Sequence, residues 1–242
     1  MIARAIAPVL LESAERFPVV TILGPRQSGK TTLVRALFPK HLYLNLESPE
    51  TRALAMEDPR SLLRDGEEEL ILDEVQRLPQ LLSWVQVFSD RANRPGRFVL
   101  TGSNQPLLSE AISQSLAGRT SLHRLLPLSM EELGRAGLLS SRDALLVKGF
   151  MPRLYDASLD PRELYSAYFA TYVERDVRRL INVRDLTRFE TFIRLLAGRV
   201  GQLVNLSALS DDVGVSSTTL GDWLSALEAS FVVFRLTPYH VN

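Results

Sequence analysis

The residues from Gly24 to Thr31 read Gly-Pro-Arg-Gln-Ser-Gly-Lys-Thr, an unbroken match to the pattern G-x-x-x-x-G-K-[ST]. Glycines in this spacing let the backbone wrap back, so that successive N–H groups point inward and can donate to phosphate oxygens. Lys30 would add a positive charge for the β- and γ-phosphates, and the Thr31 hydroxyl is a ligand for Mg²⁺. The pattern predicts a phosphate-binding loop made of Gly24, Pro25, Arg26, Gln27, Ser28, Gly29, Lys30 and Thr31.

The segments on either side of this loop have the patterns that a phosphate-binding loop requires. Residues 17–23 are a short apolar run suited to a buried strand, and residues 32–38 read as the start of a helix. The positive end of that helix would face the phosphates. A chance glycine-rich turn is the alternative interpretation, and the strand before it and the helix after it argue against that alternative.

Two neighbouring acids, Asp73 and Glu74, follow the apolar run Glu69-Leu70-Ile71-Leu72. This is the pattern of a central strand that delivers two carboxylates at its carboxyl edge. In phosphate-loop enzymes the first acid holds magnesium, directly or through water, and the second can polarise an attacking water. We therefore expect Asp73 to be the metal carboxylate and Glu74 the general base. On its own, without the phosphate-binding loop, this pair would be interpreted as a solvated strand end or a helix N-terminus.

A further polar group follows the apolar run Phe98–Thr101, where the chain continues through Gly102 into Ser103 and Asn104. If this strand lies beside the strand of Asp73, one of these side chains lies near the γ-phosphate and could orient water or sense the phosphate. Gly-Ser-Asn is also good turn chemistry. Asn104 is favoured over Ser103 because its amide both donates and accepts.

Several further charged residues have a functional and a structural interpretation each. Arg119 follows a helix that Gly118 would end; it could be a finger on the nucleotide of a neighbouring subunit, worth on the order of 10³–10⁵ in rate. A surface salt bridge, or a cation near the C-terminus of its own helix, explains it equally well. Arg26 could touch phosphate or face solvent, Arg153 could reach the nucleotide from the second domain, and Glu47 is either a further carboxylate near the site or part of an exit turn.

The elements that must position these residues follow an alternating pattern. Strand candidates are Val19–Leu23, His41–Leu46, Glu69–Leu72, Arg97–Thr101 and Ser121–Leu126, and helical patterns occupy residues 1–16, 31–38, 50–57, 79–91 and 106–117. This alternation predicts an α/β fold with a parallel sheet covered on both faces. Right-handed crossovers would bring the loop and both acids to one edge. We expect this core to span residues 1–128.

After residue 128 the sequence is helical throughout, with a linker region at 129–200 and a final segment at 201–242. Residues 163–181 carry an aromatic stripe that favours core packing over base stacking. In the last segment, residues 206–228 read as two helices around a glycine turn and residues 231–236 as a hairpin strand, which is the pattern of a winged helix-turn-helix. The second of these helices has no Lys or Arg, so a structural or protein-binding role is favoured over DNA reading.

Composition limits the partners and the compartment. The 242 residues include 28 basic and 28 acidic residues, so no global charge attracts nucleic acid or an anionic membrane. The absence of cysteine excludes disulfides and thiolate chemistry and fits a reducing compartment. No apolar stretch is long enough to span a bilayer. We expect a cytoplasmic protein.

Six segments, taken together, resemble one prokaryotic family, the AAA-type ATP-binding proteins with a C-terminal domain of uncharacterised function. They are Gly-Pro-Arg-Gln-Ser-Gly-Lys-Thr-Thr, Tyr-Leu-Asn-Leu-Glu, Ile-Leu-Asp-Glu-Val-Gln, Leu-Thr-Gly-Ser-Asn-Gln, Ser-Leu-Ala-Gly-Arg and Tyr-Val-Glu-Arg-Asp-Val. The resemblance implies an additional-strand P-loop fold of order 5-1-4-3-2, a winged-helix segment, and ATP as the nucleotide. It extends the phosphate contacts to Thr32 and makes Arg119 the family's arginine after the sensor helix.

The sequence thus predicts a Mg²⁺-dependent ATPase that works as a conformational switch, with a nucleotide-sensing regulatory module or a DNA-binding factor as alternatives. A homo-oligomer and a protein partner of unknown identity are both compatible with it. Members of the family usually continue beyond the position of Asn242 into a nuclease-like domain. Any activity of such a domain is therefore not assigned to this chain.

Overall fold

The computed structural model describes residues 1–63, 68–92, 94–103, 106–157, 159–172 and 185–237. The chain divides into two compact units, Met1–Pro161 and Arg162–Asn242. The boundary predicted at residue 200 and the one at residue 128 stay predictions.

The first unit is built on five parallel strands. They are β1 (Val19–Leu23), β2 (Leu42–Asn45), β3 (Leu70–Asp73), β4 (Phe98–Gly102) and β5 (Thr120–Arg124). Their order across the sheet is β2-β3-β4-β1-β5, and every pair of neighbours is parallel. The predicted α/β class, the parallel sheet and the additional-strand order are therefore confirmed.

Helices connect the strands and continue to the end of the unit. They are α1 (Ala7–Arg16), α2 (Lys30–Leu37), α3 (Pro49–Glu57), α4 (Pro59–Leu62), α5 (Leu81–Ala92), α6 (Pro106–Leu116), α7 (Met130–Arg135), α8 (Arg142–Lys148), α9 (Arg153–Asp156) and α10 (Pro161–Tyr168), the last of which crosses into the second unit. A 3₁₀ turn, Val75–Arg77, follows β3. None of the described helices is both long enough and apolar enough to cross a membrane.

Both faces of the sheet are covered, as the strand–helix alternation predicts. Helices α1 and α2 pack on one face through Leu10, Val20, Ile22, Leu33, Val34, Ile71 and Val99. On the other face α5 and α6 pack through Val19, Leu23, Leu72, Val85, Phe88, Phe98, Leu100, Leu108 and Ile112. Each such side chain contributes about 1.5–3 kcal/mol when fully buried. The two clusters fix the strands that carry the polar residues at the carboxyl edge.

The second unit contains α11 (Leu186–Ala197), α12 (Leu206–Val213) and α13 (Ser217–Ala229). Helix α12 ends at Gly214, whose φ of 74° is left-handed, and the Ser216 hydroxyl caps α13 by accepting from the N–H of Thr219. The aromatic residues Tyr168, Phe169 and Tyr172 pack in the core of this unit. The helix-turn-helix and the core role of these three aromatics agree with the sequence; most of the rest of the aromatic stripe lies outside the described residues.

The predicted hairpin strand at residues 231–236 is wrong. The described residues after Ser230 form no strand. Phe231 has a left-handed φ of 58°, and the N–H groups of Val232 and Val233 both donate to the carbonyl oxygen of Leu227, at 2.9 and 3.4 Å. These donors close the end of α13, so they cannot form a strand ladder. The wing is absent from the part of the chain that the structure describes, and the predicted winged helix is reduced to a helix-turn-helix.

Candidate active site

The loop between β1 and α2 has the backbone that the glycine spacing predicts. A Cβ on Gly24 would lie 2.1 Å from the carbonyl oxygen of Leu125, so only glycine fits there. Gly29 has a left-handed φ of 90° and directly precedes Lys30, the first residue of α2. The N-terminus of that helix faces the loop, which is the geometry of a phosphate site.

Lys30 is buried, with 4% of the residue exposed. Its Nζ donates to the carbonyl oxygens of Gly24 at 3.0 Å and Pro25 at 2.8 Å. Burial lowers the pKa of Lys30, and the nearby carboxylates of Glu74 and Asp73 oppose part of that shift. The ammonium group is therefore held by neutral oxygens inside the loop and lies within the field of both acids.

Asp73 ends β3 and is 3% exposed. The Thr31 hydroxyl donates to its carboxylate, with Oγ1 at 2.9 Å from Oδ2, and the Thr101 hydroxyl donates to Oδ1. The structure thus brings together the two residues that the sequence assigns to the metal. Both offer hard oxygen donors, and Mg²⁺ is usually held by one or two carboxylates together with phosphate oxygens. The donor set fits that ion.

Tyr43 is a site residue that the sequence analysis missed. It lies on β2, and its hydroxyl donates to Oδ2 of Asp73 at 2.6 Å. Burial and this hydrogen bond raise the pKa of Tyr43, so the phenol stays a donor at neutral pH. The only sequence signal was its place at the start of the Tyr-Leu-Asn-Leu-Glu segment.

Glu74 follows Asp73 with a left-handed backbone, φ 61° and ψ 48°. A residue other than glycine held in this conformation costs about 1–3 kcal/mol, and such residues cluster at functional sites. Its N–H donates to Oγ1 of Thr101 at 3.2 Å. Its carboxylate accepts from Gln76, and Oγ of Ser103 lies 3.5 Å from Oε2. Ser103, one of the two sensor candidates, is therefore beside the predicted base.

Asn104, the favoured sensor candidate, lies outside the described residues. Its role stays a prediction. Gln76, which had no assigned role, is brought to the site by the turn after β3: its Oε1 accepts from the N–H of Ser103 at 3.2 Å. Its only signals in the sequence were its position two residues after Glu74 and its place at the end of the Ile-Leu-Asp-Glu-Val-Gln segment.

Arg26 lies within the loop, and Glu47 lies beside it. The closest oxygen of Glu47, Oε1, is 4.0 Å from Arg26 and 3.5 Å from Arg77. The backbone N–H of Glu47 also donates to Oδ1 of Asn45, as an exit turn requires. The exit turn is therefore observed, and a role for Glu47 as a further carboxylate at the site stays a prediction. Arg26 has an acidic neighbour, and contact with phosphate stays a prediction.

Arg119 is not brought to the loop of its own chain. Its carbonyl oxygen accepts from the N–H of Val19, at the amino end of β1, whereas the loop begins at the carboxyl end, about 13 Å away along four strand residues. Its guanidinium pairs with Asp90, with Nη2 at 2.9 Å from Oδ2. Of the interpretations of Arg119, the structure shows the surface salt bridge. A role as a finger on a neighbouring subunit stays a prediction.

The N-terminal segment contributes a buried cation that the sequence analysis missed. Nη1 of Arg4 donates to the carbonyl oxygen of Ser28, in the loop, at 2.8 Å. Its Nη2 donates to the carbonyl oxygen of Leu126 at 2.6 Å, and its Nε donates to Glu132 at 3.1 Å. Arg4 therefore ties the loop to the start of α7.

Arg153 begins α9 and is exposed. The residue before it, Pro152, has its Cγ 3.8 Å from the position that a Cβ on Gly29 would take. The backbone of Arg153 is therefore near the loop, and a contact with nucleotide stays a prediction.

Comparison with known proteins identifies two regions. An AAA domain matches residues 16–134, and a domain of unknown function (DUF8612) matches residues 140–242. An uncharacterized protein of Mycobacterium tuberculosis is 33% identical over 244 residues, which cover 99% of this chain and 54% of that protein. An uncharacterized protein of Haemophilus influenzae is 28% identical over 256 residues, covering 93% of this chain and 63% of that protein. The chain spans about half the length of the first of these relatives.

Among solved structures, a Walker-type ATPase of Pyrococcus abyssi is similar to the chain, with a TM-score of 0.54 and 17% sequence identity. The similarity covers 95% of this chain and 90% of that one. With 17% sequence identity, this similarity shows that the two chains share the P-loop NTPase fold.

Proposed function

Since the chain belongs to the AAA-domain family through residues 16–134, we propose that it is a Mg²⁺-dependent ATPase whose hydrolysis drives a conformational switch. One observation carries the proposal: the phosphate-loop residue Thr31 is hydrogen-bonded to Asp73, and Glu74 follows at the same edge of the sheet. A loop, a metal ligand pair and a carboxylate base in one place are the parts that phosphoryl transfer to water requires.

The loop would bind the triphosphate through its backbone N–H groups and Lys30. In the structure the Lys30 ammonium is satisfied by two carbonyl oxygens of the loop. Phosphate oxygens are better partners for a cation than neutral carbonyls, because a hydrogen bond between two charged groups is roughly twice as strong. We therefore infer that Lys30 exchanges these carbonyls for the β- and γ-phosphates when nucleotide binds.

Thr31 and Asp73 would hold the metal. A magnesium ion held by these two residues would supply positive charge to offset the negative charge that develops on the phosphate oxygens. The hydrogen bonds from Tyr43 and Thr101 orient the Asp73 carboxylate. Such outer partners tune a metal ligand as much as its own position does.

Glu74 would orient the attacking water and accept its proton. Its carboxylate is held by Gln76 and Ser103. The negative charge of Glu74 raises the pKa of Lys30, and this effect is larger than the one that the charge of Asp73 has on Lys30. The charge of Glu74 therefore acts on the ammonium that marks the phosphate end of the loop. That position is what a general base for hydrolysis needs.

We also propose that the chain acts as a homo-oligomer and on a protein partner. Arg119 lies at the amino ends of the strands, whereas the loop of its own chain lies at their carboxyl ends, so Arg119 can meet a nucleotide only in another subunit. Helix α13 carries no Lys or Arg, and α12 carries Asp211 and Asp212. Since duplex DNA is bound largely through Lys and Arg, a protein surface is the better match for this helix-turn-helix.

The test of the function is nucleotide binding and turnover measured separately. Lys30→Ala is expected to abolish ATP binding in a calorimeter, whereas the matched surface variant Lys40→Ala should bind as the wild type does. Glu74→Gln is expected to bind ATP with Mg²⁺ but release no phosphate. A wild-type protein that binds ATP and releases none, with or without DNA, would identify a nucleotide-sensing module instead. No binding at all would refute both.

A further inference from the structure

Gln76 occupies a position between the predicted base and the end of the neighbouring strand. It lies in the 3₁₀ turn directly after Glu74, and its side chain points back to the carboxyl edge of the sheet. Its Nε2 donates to Oε2 of Glu74 and lies 3.5 Å from Oγ of Ser103. Its Oε1 accepts from the backbone N–H of Ser103 at 3.2 Å. One amide therefore joins Glu74 to β4.

These contacts fix which way the amide faces. A backbone N–H can only donate, so the Ser103 N–H must meet the carbonyl oxygen of the Gln76 side chain. An ionised carboxylate can only accept, so the NH₂ group must face Glu74. Both ends are satisfied in one orientation, and turning the amide over would break both hydrogen bonds.

The surrounding backbone leaves room for this arrangement. A Cβ on Gly102 would lie 2.8 Å from Oε1 of Gln76, closer than van der Waals contact allows. Ser103 is 2% exposed, so the N–H that anchors the amide is shielded from water. Glu74 has its left-handed backbone directly before this turn, and its side chain accepts from Gln76.

We propose that Gln76 is a positioning residue that holds the Glu74 carboxylate in place for the hydrolytic step and connects it to Ser103. The role rests on the proposed function, because it requires Glu74 to be the general base. A carboxylate that rotates freely would spend part of its time out of reach of the water. A hydrogen bond from an anchored amide removes that freedom, and its effect falls on turnover rather than on nucleotide binding.

The experiment replaces Gln76 by Met, which has a similar length and volume but cannot make these hydrogen bonds. We expect Gln76→Met to lower kcat for phosphate release about tenfold, the factor that corresponds to one hydrogen bond to a charged group. The KM for ATP and the affinity for ADP should stay within about twofold of wild type. Gln80→Met, an exposed glutamine four residues later, is the matched control and should have no effect.

A second measurement does not depend on turnover. ADP with aluminium fluoride and Mg²⁺ mimics the transferring phosphoryl group with its water, so its affinity reports the geometry at Glu74. We expect Gln76→Met to weaken this complex about tenfold while ADP binding is unchanged. Equal losses of ADP and ADP–aluminium fluoride binding, or a fall in both kcat and ATP affinity, would show a structural role and overturn the proposal.

The outcomes separate this role from the proposed function. If the wild type hydrolyses ATP and Gln76→Met does so at the same rate, the ATPase stands and the role of Gln76 is refuted. If the wild type binds ATP but releases no phosphate, the ATPase is refuted and the role of Gln76 falls with it.

Discussion

Tyr43 and Asp73 lie on adjacent parallel strands, and the Tyr43 hydroxyl is 2.6 Å from Oδ2 of Asp73. The phenol reaches across from β2 to the carboxylate that ends β3. Together with Thr31 and Thr101 it surrounds Asp73 with hydroxyl donors. A carboxylate held by three hydroxyl groups keeps one orientation, and this is the residue that the proposed function assigns to the metal.

Tyr43→Phe is therefore expected to weaken metal binding. Removing an outer partner of a metal ligand typically costs 10–100-fold in affinity, so we expect a loss of roughly tenfold for Mg²⁺ in the presence of nucleotide. The measurement is a Mg²⁺ titration followed by a fluorescent ATP analogue. Tyr155→Phe, which removes a hydroxyl bonded to the carbonyl oxygen of Gly149, is the matched control. Equal Mg²⁺ affinity in both variants would show that the Tyr43 hydrogen bond has no part in the metal site.

Arg4→Ala is expected to destabilise the first unit and weaken nucleotide binding together. The substitution leaves the Glu132 carboxylate without its cation and the carbonyl oxygens of Ser28 and Leu126 without their donor. Breaking a buried ion pair from one side costs about 3–5 kcal/mol. Urea unfolding measures the loss, and Arg142→Ala, which removes an exposed pair with Asp143, should change the unfolding free energy by under about 1 kcal/mol.

A double variant separates the charge effect from the loss of loop contacts. Burial alone would raise the pKa of Glu132, but hydrogen bonds from Ser129, Ala5 and Arg4 outweigh this effect and hold that pKa below its usual value. Adding Glu132→Gln to Arg4→Ala removes the unpaired charge, so the double variant should be less destabilised than the two single variants summed. Strict additivity would contradict the coupling of the two residues.

His123 makes the stability of the first unit depend on pH. Its Nε2 is 3.0 Å from the Ser13 hydroxyl on α1 and 2.7 Å from that of Ser121 on β5, and burial lowers the pKa of His123 below its usual value of 6.5. The unfolded chain therefore binds a proton at a higher pH than the folded chain does. Stability should be full above pH 6.5 and fall as the pH drops through the lowered pKa.

The measurement is the unfolding free energy from pH 7.5 down to pH 5, compared between the wild type and His123→Gln. We expect the wild type to lose more stability than the variant over this range, because glutamine does not titrate. His41→Gln, which replaces a different histidine by the same residue, is the matched control. If His123→Gln follows the wild-type curve, the titration of His123 does not contribute.

The sequence was most informative where one local pattern determines both the element and the chemistry. The glycine spacing from Gly24 to Gly29 requires a particular backbone, and the apolar run before Asp73 requires a buried strand. The parallel order then follows from the strand–helix alternation, so the meeting of Thr31 and Asp73 was predictable. Tyr43 and Gln76 were missed because their contacts depend on which strand is the neighbour and on a turn conformation. Neither has a periodic signal.

The wrong prediction at residues 231–236 has a related cause. Val232 and Val233 have high strand propensity, but strand propensity depends on a partner strand. Here their N–H groups instead close the end of α13 on Leu227. Helix closure is a local interaction of the backbone, and the side-chain pattern does not report it.

Arg119→Ala tests whether active sites are shared between subunits. If Arg119 acts on a neighbour's nucleotide, its removal should lower phosphate release by on the order of 10³ while ATP binding remains. The unfolding free energy should change little, because the pair with Asp90 is open to solvent. Asp90→Ala removes the same salt bridge and keeps the arginine, so it serves as the control and should retain turnover.

Mixing subunits makes the same test sharper. A Lys30→Ala subunit cannot bind nucleotide but supplies Arg119, and an Arg119→Ala subunit binds nucleotide but lacks the arginine. If the site is shared, the mixture should regain part of the turnover that each variant lacks alone. A mixture as inactive as its components, although it assembles, would place the effect of Arg119 within its own chain.

Gly102→Ala should reproduce the effect of losing the Gln76 amide by a different route. The new Cβ would lie 2.8 Å from Oε1 of Gln76 and 2.7 Å from Cδ2 of Leu108, so both side chains must move. Overpacking of this kind costs about 1–3 kcal/mol of stability. A displaced amide can no longer hold Glu74, so we expect kcat to fall by about the same tenfold factor as in Gln76→Met.

The double variant Gly102→Ala with Gln76→Met decides whether the two substitutions act through one contact. If they do, its kcat should be no lower than that of the more affected single variant. Gly134→Ala is the control, because a Cβ there meets nothing within 4 Å, and alanine should stabilise α7 by about 0.5–1 kcal/mol. A double variant whose losses multiply would mean that Gly102 affects turnover independently of the amide of Gln76, through Leu108 or the end of β4.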